Sequence, residues 1–67
     1  MKQIHYIHFT ESGYAIGMQI INNKQVTNDF LYKFNKKGVV EYTPYIDMAK
    51  IFSDTDEAIE VLEFLSK

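Results

Sequence analysis

The sequence contains no cysteine, so neither disulfide bonds nor thiolate metal sites can stabilise its small core. It also contains no tryptophan and no arginine, and it has a single proline. No apolar run approaches the roughly 20 residues of a membrane span, and the N-terminal residues lack the apolar stretch of a secretory signal. These absences predict a soluble, cytoplasmic protein whose fold depends on side-chain packing.

The residues that are present suit one small domain over residues 1–67, with 46% hydrophobic and 15% aromatic side chains. Aromatic rings bury a large area each, which helps so short a chain to form a core. The net charge is only −2, but seven of the nine acidic residues follow residue 40 and five lysines precede residue 41. This asymmetry can steer a charged partner, although a solvated acidic helix face produces the same pattern.

Short polar segments that end in glycine predict hairpin turns at residues 10–13 and 35–38, because glycine adopts positive φ without strain. A further turn is predicted at residues 22–24. Three-residue loops at these turns define a register, and the register defines which side chains share a sheet face. That register pairs Thr10 with Tyr14, His8 with Ile16, Ile20 with Val26, Asn35 with Val39, Phe34 with Val40, Lys33 with Glu41, and Tyr32 with Tyr42.

The C-terminal segment has the pattern of an amphipathic helix over residues 54–66. Asp54 and Glu57 have the spacing of a capping box, and apolar residues then recur at helical spacing. So short a helix must dock on the sheet to be stable. The predicted core is Ile4, Tyr6, Ile16, Met18, Ile20, Val26, Phe30, Tyr32, Phe34, Val40 and Tyr42 beneath Ala58, Ile59, Leu62 and Leu65.

Residues 44–53 are predicted to connect the sheet to the helix. Pro44 ends the fourth strand because proline cannot donate a ladder hydrogen bond, and a helical turn and a short strand at residues 50–52 follow. The predicted fold class is α+β, with a four-stranded antiparallel β-meander over residues 1–43 and one C-terminal α-helix packed on one face. A small SH3-like barrel with an appended helix is the alternative.

The sheet face away from the helix is predicted to be polar except for one apolar patch. Ile7, Phe9, Ile21 and Leu31 fall together on that face in the predicted register. A contiguous exposed apolar patch on a small protein marks an interface, so these residues are candidates for binding a protein partner or a second copy of the chain. Alternatively, residues 44–52 cover the patch.

Catalytic motifs are absent from the sequence. His5 and His8 point to opposite faces of one strand and cannot jointly bind a metal, and no phosphate-binding loop or dinucleotide motif occurs. We therefore expect no enzyme activity, no metal and no cofactor.

Two charged features suggest partners. The exposed side of the predicted helix carries Asp56, Glu60 and Glu63, which could complement a basic protein surface. Alternatively, Lys33, Lys36 and Lys37 lie beside aromatic residues, as in proteins that bind single-stranded nucleic acid. Because the predicted register places those rings in the core, protein binding is the favoured interpretation.

Residues 49–62, with the sequence AKIFSDTDEAIEVL, resemble the A-x-x-F-s-x-x-x-E-A ending of many tiny accessory proteins of bacteriophages and mobile elements of Gram-positive bacteria. Some proteins of that kind bind host proteins or block host defence systems. The resemblance implies a small protein–protein interaction module of the phage type, an inhibitor or modulator of a host protein. It assigns no site residues. The alternative function is a nucleic-acid-binding accessory protein that uses the turn at residues 33–37.

Overall fold

The computed structural model describes residues 2–66 and has one antiparallel sheet of four strands in the order β1-β2-β3-β4. This confirms the predicted meander with a C-terminal helix. A 3₁₀ turn at Ile46–Met48 follows the last strand, in the connector where a helical turn was predicted. The elements are β1 (Lys2–Thr10), β2 (Gly13–Asn22), β3 (Gln25–Phe34), β4 (Val40–Thr43) and α1 (Thr55–Leu65).

The first two hairpins close with two-residue loops, so the predicted three-residue loops there are wrong. Thr10 pairs with Gly13 rather than with Tyr14, because Gly13 already belongs to β2. At the second turn Asn23 adopts the left-handed conformation with φ 57, which asparagine tolerates. As a result Ile21, not Ile20, pairs with Val26, and His8 pairs with Ala15 rather than with Ile16.

The third hairpin has the predicted turn. The Asn35 N–H donates to the Val39 carbonyl at 2.9 Å, and Gly38 occupies the left-handed region with φ 79. Phe34 pairs with Val40 as predicted. This turn therefore starts β4 in the expected register.

A β-bulge interrupts that register at Tyr32. Lys33 pairs with Glu41 as predicted, but the next pair joins Leu31 to Tyr42. Tyr32 is the extra residue, so the predicted pair of Tyr32 with Tyr42 is wrong. A bulge of this kind bends the strand and increases its local twist.

The hydrophobic core lies between the sheet and α1. Its fully buried centre consists of Ile16, Leu31, Phe52 and Ala58. Because Ile16 pairs with Ile7, the odd-numbered residues of β1 share this helix-covered face with the even-numbered residues of β2. The partly buried side chains around the centre are Ile7, Tyr14, Val40, Val61, Leu62 and Leu65.

Several predicted core residues lie elsewhere. The register of β1 and β3 differs by one residue from the prediction, which exchanges the faces of a strand, so Tyr6 and Phe30 lie on the helix-free face, as do the exposed Ile4 and Val26. Phe34, which follows the bulge, and Ile59, on α1, are also exposed. Among the remaining predictions, Ile16, Met18 and Ala58 are buried, and Ile20, Tyr32, Val40, Tyr42, Leu62 and Leu65 are partly buried.

The connector inserts between β2 and β3, which separate beyond the pair of Gly17 with Phe30. The Tyr14 N–H donates to the Phe52 carbonyl at 2.8 Å, and the Phe52 N–H donates to the Tyr14 carbonyl at 2.7 Å. The Lys50 N–H donates to the Leu31 carbonyl at 2.9 Å. The predicted short strand at residues 50–52 is thus reduced to one bridge, which places the Phe52 ring in the core.

Asp54 is the N-cap of α1, as predicted, and the helix itself spans Thr55–Leu65 rather than residues 54–66. The Asp54 carboxylate accepts a hydrogen bond from the Asp56 N–H at 2.9 Å, satisfying one of the free donors of the first turn. Ala58 is fully buried against the sheet. Within residues 2–66, no helix has the length and apolar character needed to cross a membrane.

Candidate functional site

The predicted apolar patch does not form. Leu31 is fully buried in the core and Ile7 packs beside it. Phe9 lies on the same face as Ile7, whereas Ile21 lies on the opposite face of the sheet. Phe9 alone is strongly exposed, at 73%, and its ring contacts Tyr14 edge-on with centroids 5.6 Å apart.

Aromatic rings occupy the helix-free face instead. Tyr6 lies over Gly17, whose missing Cβ leaves the room for the ring. The rings of His8 and Phe30 meet edge-on with centroids 5.5 Å apart. These rings cover the middle of the face.

His5 and Tyr42 are joined across the helix-covered face. The His5 Nε2 atom lies 3.1 Å from the Tyr42 hydroxyl oxygen, and the two rings are tilted by 41°. Burial raises the pKa of the Tyr42 hydroxyl above its ordinary value, because the phenolate is harder to desolvate. The pair has no third polar partner among the described side chains, so its role is to connect the sheet edges.

An apolar groove lies between α1 and the end of β3. Phe34 and Val61 form its apolar lining together with Phe64, and Glu57 and Glu60 complete its walls. The groove has a volume of about 400 Å³. Phe64 is 62% exposed and Phe34 is 39% exposed, so two aromatic rings face solvent at one place. We call this feature the helix groove.

Local structure explains why these residues meet. Glu57, Glu60, Val61 and Phe64 are three or four residues apart and share one side of α1. Phe34 is the last residue of β3, two residues after the bulge at Tyr32, where the strand reaches that side of the helix. The sequence did not predict the groove, because the predicted register places Phe34 in the core. Phe64, which lies outside the predicted apolar stripe, was the available signal.

The predicted acidic surface is present on α1, where Asp56, Glu60 and Glu63 are all exposed. Of these three residues, only Glu60 lines the helix groove, beside Glu57. The helix contains no lysine, so no positive charge on α1 offsets these carboxylates. The groove therefore combines exposed apolar rings with local negative charge.

The lysine turn is also exposed, and the exposed ring beside it, Phe34, lines the helix groove. The Asn35 Oδ1 atom accepts hydrogen bonds from the backbone N–H groups of Lys37 and Val39, which fixes the turn. Lys36 and Lys37 project into solvent. The Lys33 Nζ atom lies 5.3 Å from the centroid of the Tyr32 ring, a cation–π contact that occupies this ring.

Within residues 2–66, no group of three or more histidine or acidic side chains could hold a metal ion. His5 and His8 lie on opposite faces of β1, as predicted. The chain matches no protein-family model, no curated protein and no solved structure. The helix groove is consequently the strongest candidate site, on its own geometry.

Proposed function

We propose that this protein is a binding module whose helix groove accepts a basic amphipathic segment of another protein. The observation that supports this proposal is the groove, in which two exposed aromatic rings lie beside two carboxylates. A segment with apolar anchors on one face and lysine or arginine on its flanks matches both properties. The protein acts by occupying that segment, as an inhibitor or modulator of its partner.

The apolar rings supply the affinity in this proposal. Buried aromatic anchors at the centre of an interface dominate binding energies, and Phe64 has most of its surface still to bury, while Phe34 has more than a third. An open groove with both rings at its surface suits a side chain inserted from a partner. The resemblance of residues 49–62 to phage accessory proteins supports a host protein as that partner.

The carboxylates supply the choice of partner. Glu57 and Glu60 lie at the groove without a lysine on the same helix, so a basic segment gains favourable electrostatics on approach. The same charges repel phosphate groups from the ring of Phe34. This placement favours a protein over a nucleic acid, which would need the lysine turn and an adjacent aromatic surface.

The test uses synthetic amphipathic peptides that each carry one tryptophan. Because the protein has no tryptophan, the fluorescence of the peptide reports binding directly. We expect a leucine–lysine peptide to bind and a leucine–glutamate peptide of equal hydrophobicity not to bind. Phe64→Gln should weaken binding at least about tenfold, the typical effect of losing an interface anchor. Glu57→Gln combined with Glu60→Gln should weaken it and flatten its salt dependence.

Matched controls exist on the same chain. Phe9→Gln removes another exposed phenylalanine, and Glu63→Gln removes another exposed helix carboxylate, but neither residue lines the groove. Both variants should bind the basic peptide as the unchanged protein does. Equal binding of the two peptides, or equal losses in the control variants, would refute the proposal.

The nucleic-acid alternative is tested separately by salt titration of oligonucleotide binding. Phosphate contacts give an affinity that falls steeply with salt. We expect no such binding at low salt. Binding that is abolished by Lys36→Glu and Lys37→Glu would instead establish the alternative function.

A further inference from the structure

We propose that β1 pairs with β1 of a second copy of this chain, so that two sheets join into one. The inference rests on the outer edge of β1 and is independent of the helix groove. β1 and β4 are the two edge strands of the sheet. They differ strongly in how open their edges are.

The backbone groups on the outer edge of β1 can be identified from the hydrogen-bonding pattern. Tyr14 directs its N–H and carbonyl to Phe52, away from β1, so its partner Phe9 directs its own groups outward. Because these directions alternate along a strand, the outward residues are Gln3, His5, Ile7 and Phe9. Their N–H and carbonyl groups have no strand beside them within residues 2–66.

This edge lacks the features that normally prevent strand addition. β1 pairs with β2 over all nine of its residues without a bulge, and it contains no proline. Its only charged side chain is Lys2, at its first position. By contrast, β4 has four residues, faces the bulge at Tyr32 and is followed by Pro44. A long, regular edge with a single charge at its end is a template for another strand.

Self-pairing has one register that uses every outward group. With Tyr6 opposite Tyr6 of the second copy, His5 faces Ile7 and Gln3 faces Phe9 in hydrogen-bonded pairs. The antiparallel arrangement is two-fold symmetric, so each pair occurs twice. All four outward residues of each copy are then paired.

Charge favours this arrangement. Lys2 begins β1 and Glu11 directly follows it. In this register Lys2 of each copy faces Thr10 of the other, one residue before Glu11, so antiparallel pairing brings opposite charges into the same region, whereas parallel pairing would bring like charges together. Electrostatic attraction at the two ends of the paired strands therefore favours the antiparallel orientation.

Exposed apolar side chains flank the edge. Phe9 is 73% exposed on the helix-covered face of β1, and Ile59 is 42% exposed on α1. Ile59 and Phe64 are five residues apart, about 140° around the helix, so Ile59 lies on the side of α1 away from the groove. Since α1 packs over β1 and β2, that side looks towards the second copy.

The size of the contact predicts a concentration-dependent dimer. One nine-residue strand with its flanking side chains provides about 600 Å² per partner, the lower end for a specific interface. The surface of one chain is 5028 Å², so most of it remains free. We expect dissociation in the micromolar range, within reach of light scattering and analytical ultracentrifugation.

The first experiment measures mass against concentration. The unchanged protein should approach twice its chain mass of 7.9 kDa at high micromolar concentration. Gln3→Pro removes one outward N–H at an exposed position and should leave a folded monomer, as should Phe9→Lys. Phe64→Gln should still dimerise. A mass of one chain throughout, or a dimer that only Phe64→Gln dissociates, would overturn the inference.

Amide hydrogen exchange by NMR tests the pairing pattern itself. The amides of His5 and Ile7 should exchange rapidly at low concentration and become protected at high concentration. Those of Tyr6 and His8, which bond to β2, should be protected at both. A dimer in which His5 and Ile7 remain unprotected would show that the copies meet elsewhere.

Discussion

His5 and Tyr42 form a hydrogen bond of 3.1 Å although they belong to the two opposite edge strands of the sheet. The two side chains reach across β2 and β3 on the helix-covered face. Met18, which pairs with His5 in β2, is 6% exposed. The hydrogen bond between His5 and Tyr42 joins residues that lie 37 positions apart and connects the first strand to the last.

Tyr42→Phe should lower the free energy of unfolding by about 1 kcal/mol at pH 7, the usual net value of a partly buried hydrogen bond. Burial raises the pKa of the Tyr42 hydroxyl above its ordinary 10.0. Folding therefore favours the neutral hydroxyl, so the stabilisation is present below pH 10 and is lost as the pH rises beyond it. Urea unfolding at pH 7, 9 and 10.5 should show the difference between Tyr42→Phe and the unchanged protein shrinking at the highest pH. Tyr45→Phe, at a 62% exposed position, is the control.

Gly17→Ala should destabilise the protein by about 1–3 kcal/mol because the new methyl group would overlap the Tyr6 ring. Tyr6→Leu should relieve most of that penalty, which a double-mutant cycle in urea measures. Gly38→Ala meets no atom within 4 Å, so Tyr6→Leu should leave its cost unchanged. Strictly additive effects of Gly17→Ala and Tyr6→Leu would contradict the packing of Tyr6 on Gly17.

Phe52→Ala should cost about 3–5 kcal/mol, because Phe52 is 3% exposed and belongs to the core cluster with Leu31 and Ala58. This loss is comparable to the whole stability of a small domain. Phe64→Ala, at a 62% exposed position, should change the free energy of unfolding by less than about 1 kcal/mol. Thermal unfolding followed by circular dichroism compares the two, and similar losses would refute the assignment of Phe52 to the core.

Asp54→Ala should cost about 1 kcal/mol, since the Asp56 N–H would lose its acceptor at the start of α1. Asp54→Asn retains a side-chain oxygen and should keep most of the stability. The readout is the helical circular dichroism signal during urea unfolding. An equal loss in both variants would assign the effect to charge rather than to capping.

The features of the fold that depend on residues close together in the sequence were predicted best. The cap at Asp54 and the spacing of Ala58, Leu62 and Leu65 give the start and the buried side of α1. The turn at Asn35 was predictable for the same reason, because its side chain and Gly38 define it locally. Four strands in meander order then follow from the short turns between them.

The strand faces were not predictable because two loop lengths fit the same residues. Gly13 can end a three-residue loop or begin β2, and the polar pattern does not separate these options. In the structure Gly13 begins β2. In this arrangement Tyr14 forms hydrogen bonds with Phe52, and the backbone of Phe52 closely approaches Gly13. With this register Ile7, and not Tyr6, faces the core. The contact joins residues far apart in the sequence, so no local pattern revealed it.

The candidate site was only half predictable. Glu60 was identified from the charge pattern, but the groove depends on Phe34 leaving the core at the end of a bulged strand. The bulge at Tyr32 has no glycine or proline to mark it.

Likewise, the high aromatic content suggested a core of rings, whereas Phe52 is the one ring in its fully buried centre.

The insertion of Phe52 beside Tyr14 also constrains the order of folding. Contacts between distant parts of a chain form slowly, because the loop between them must first be closed. During synthesis the strands emerge from the ribosome before the connector and α1, so Ile16 and Leu31 remain uncovered until Phe52 arrives. Until the connector closes, the sheet therefore exposes an apolar face that the folded protein buries.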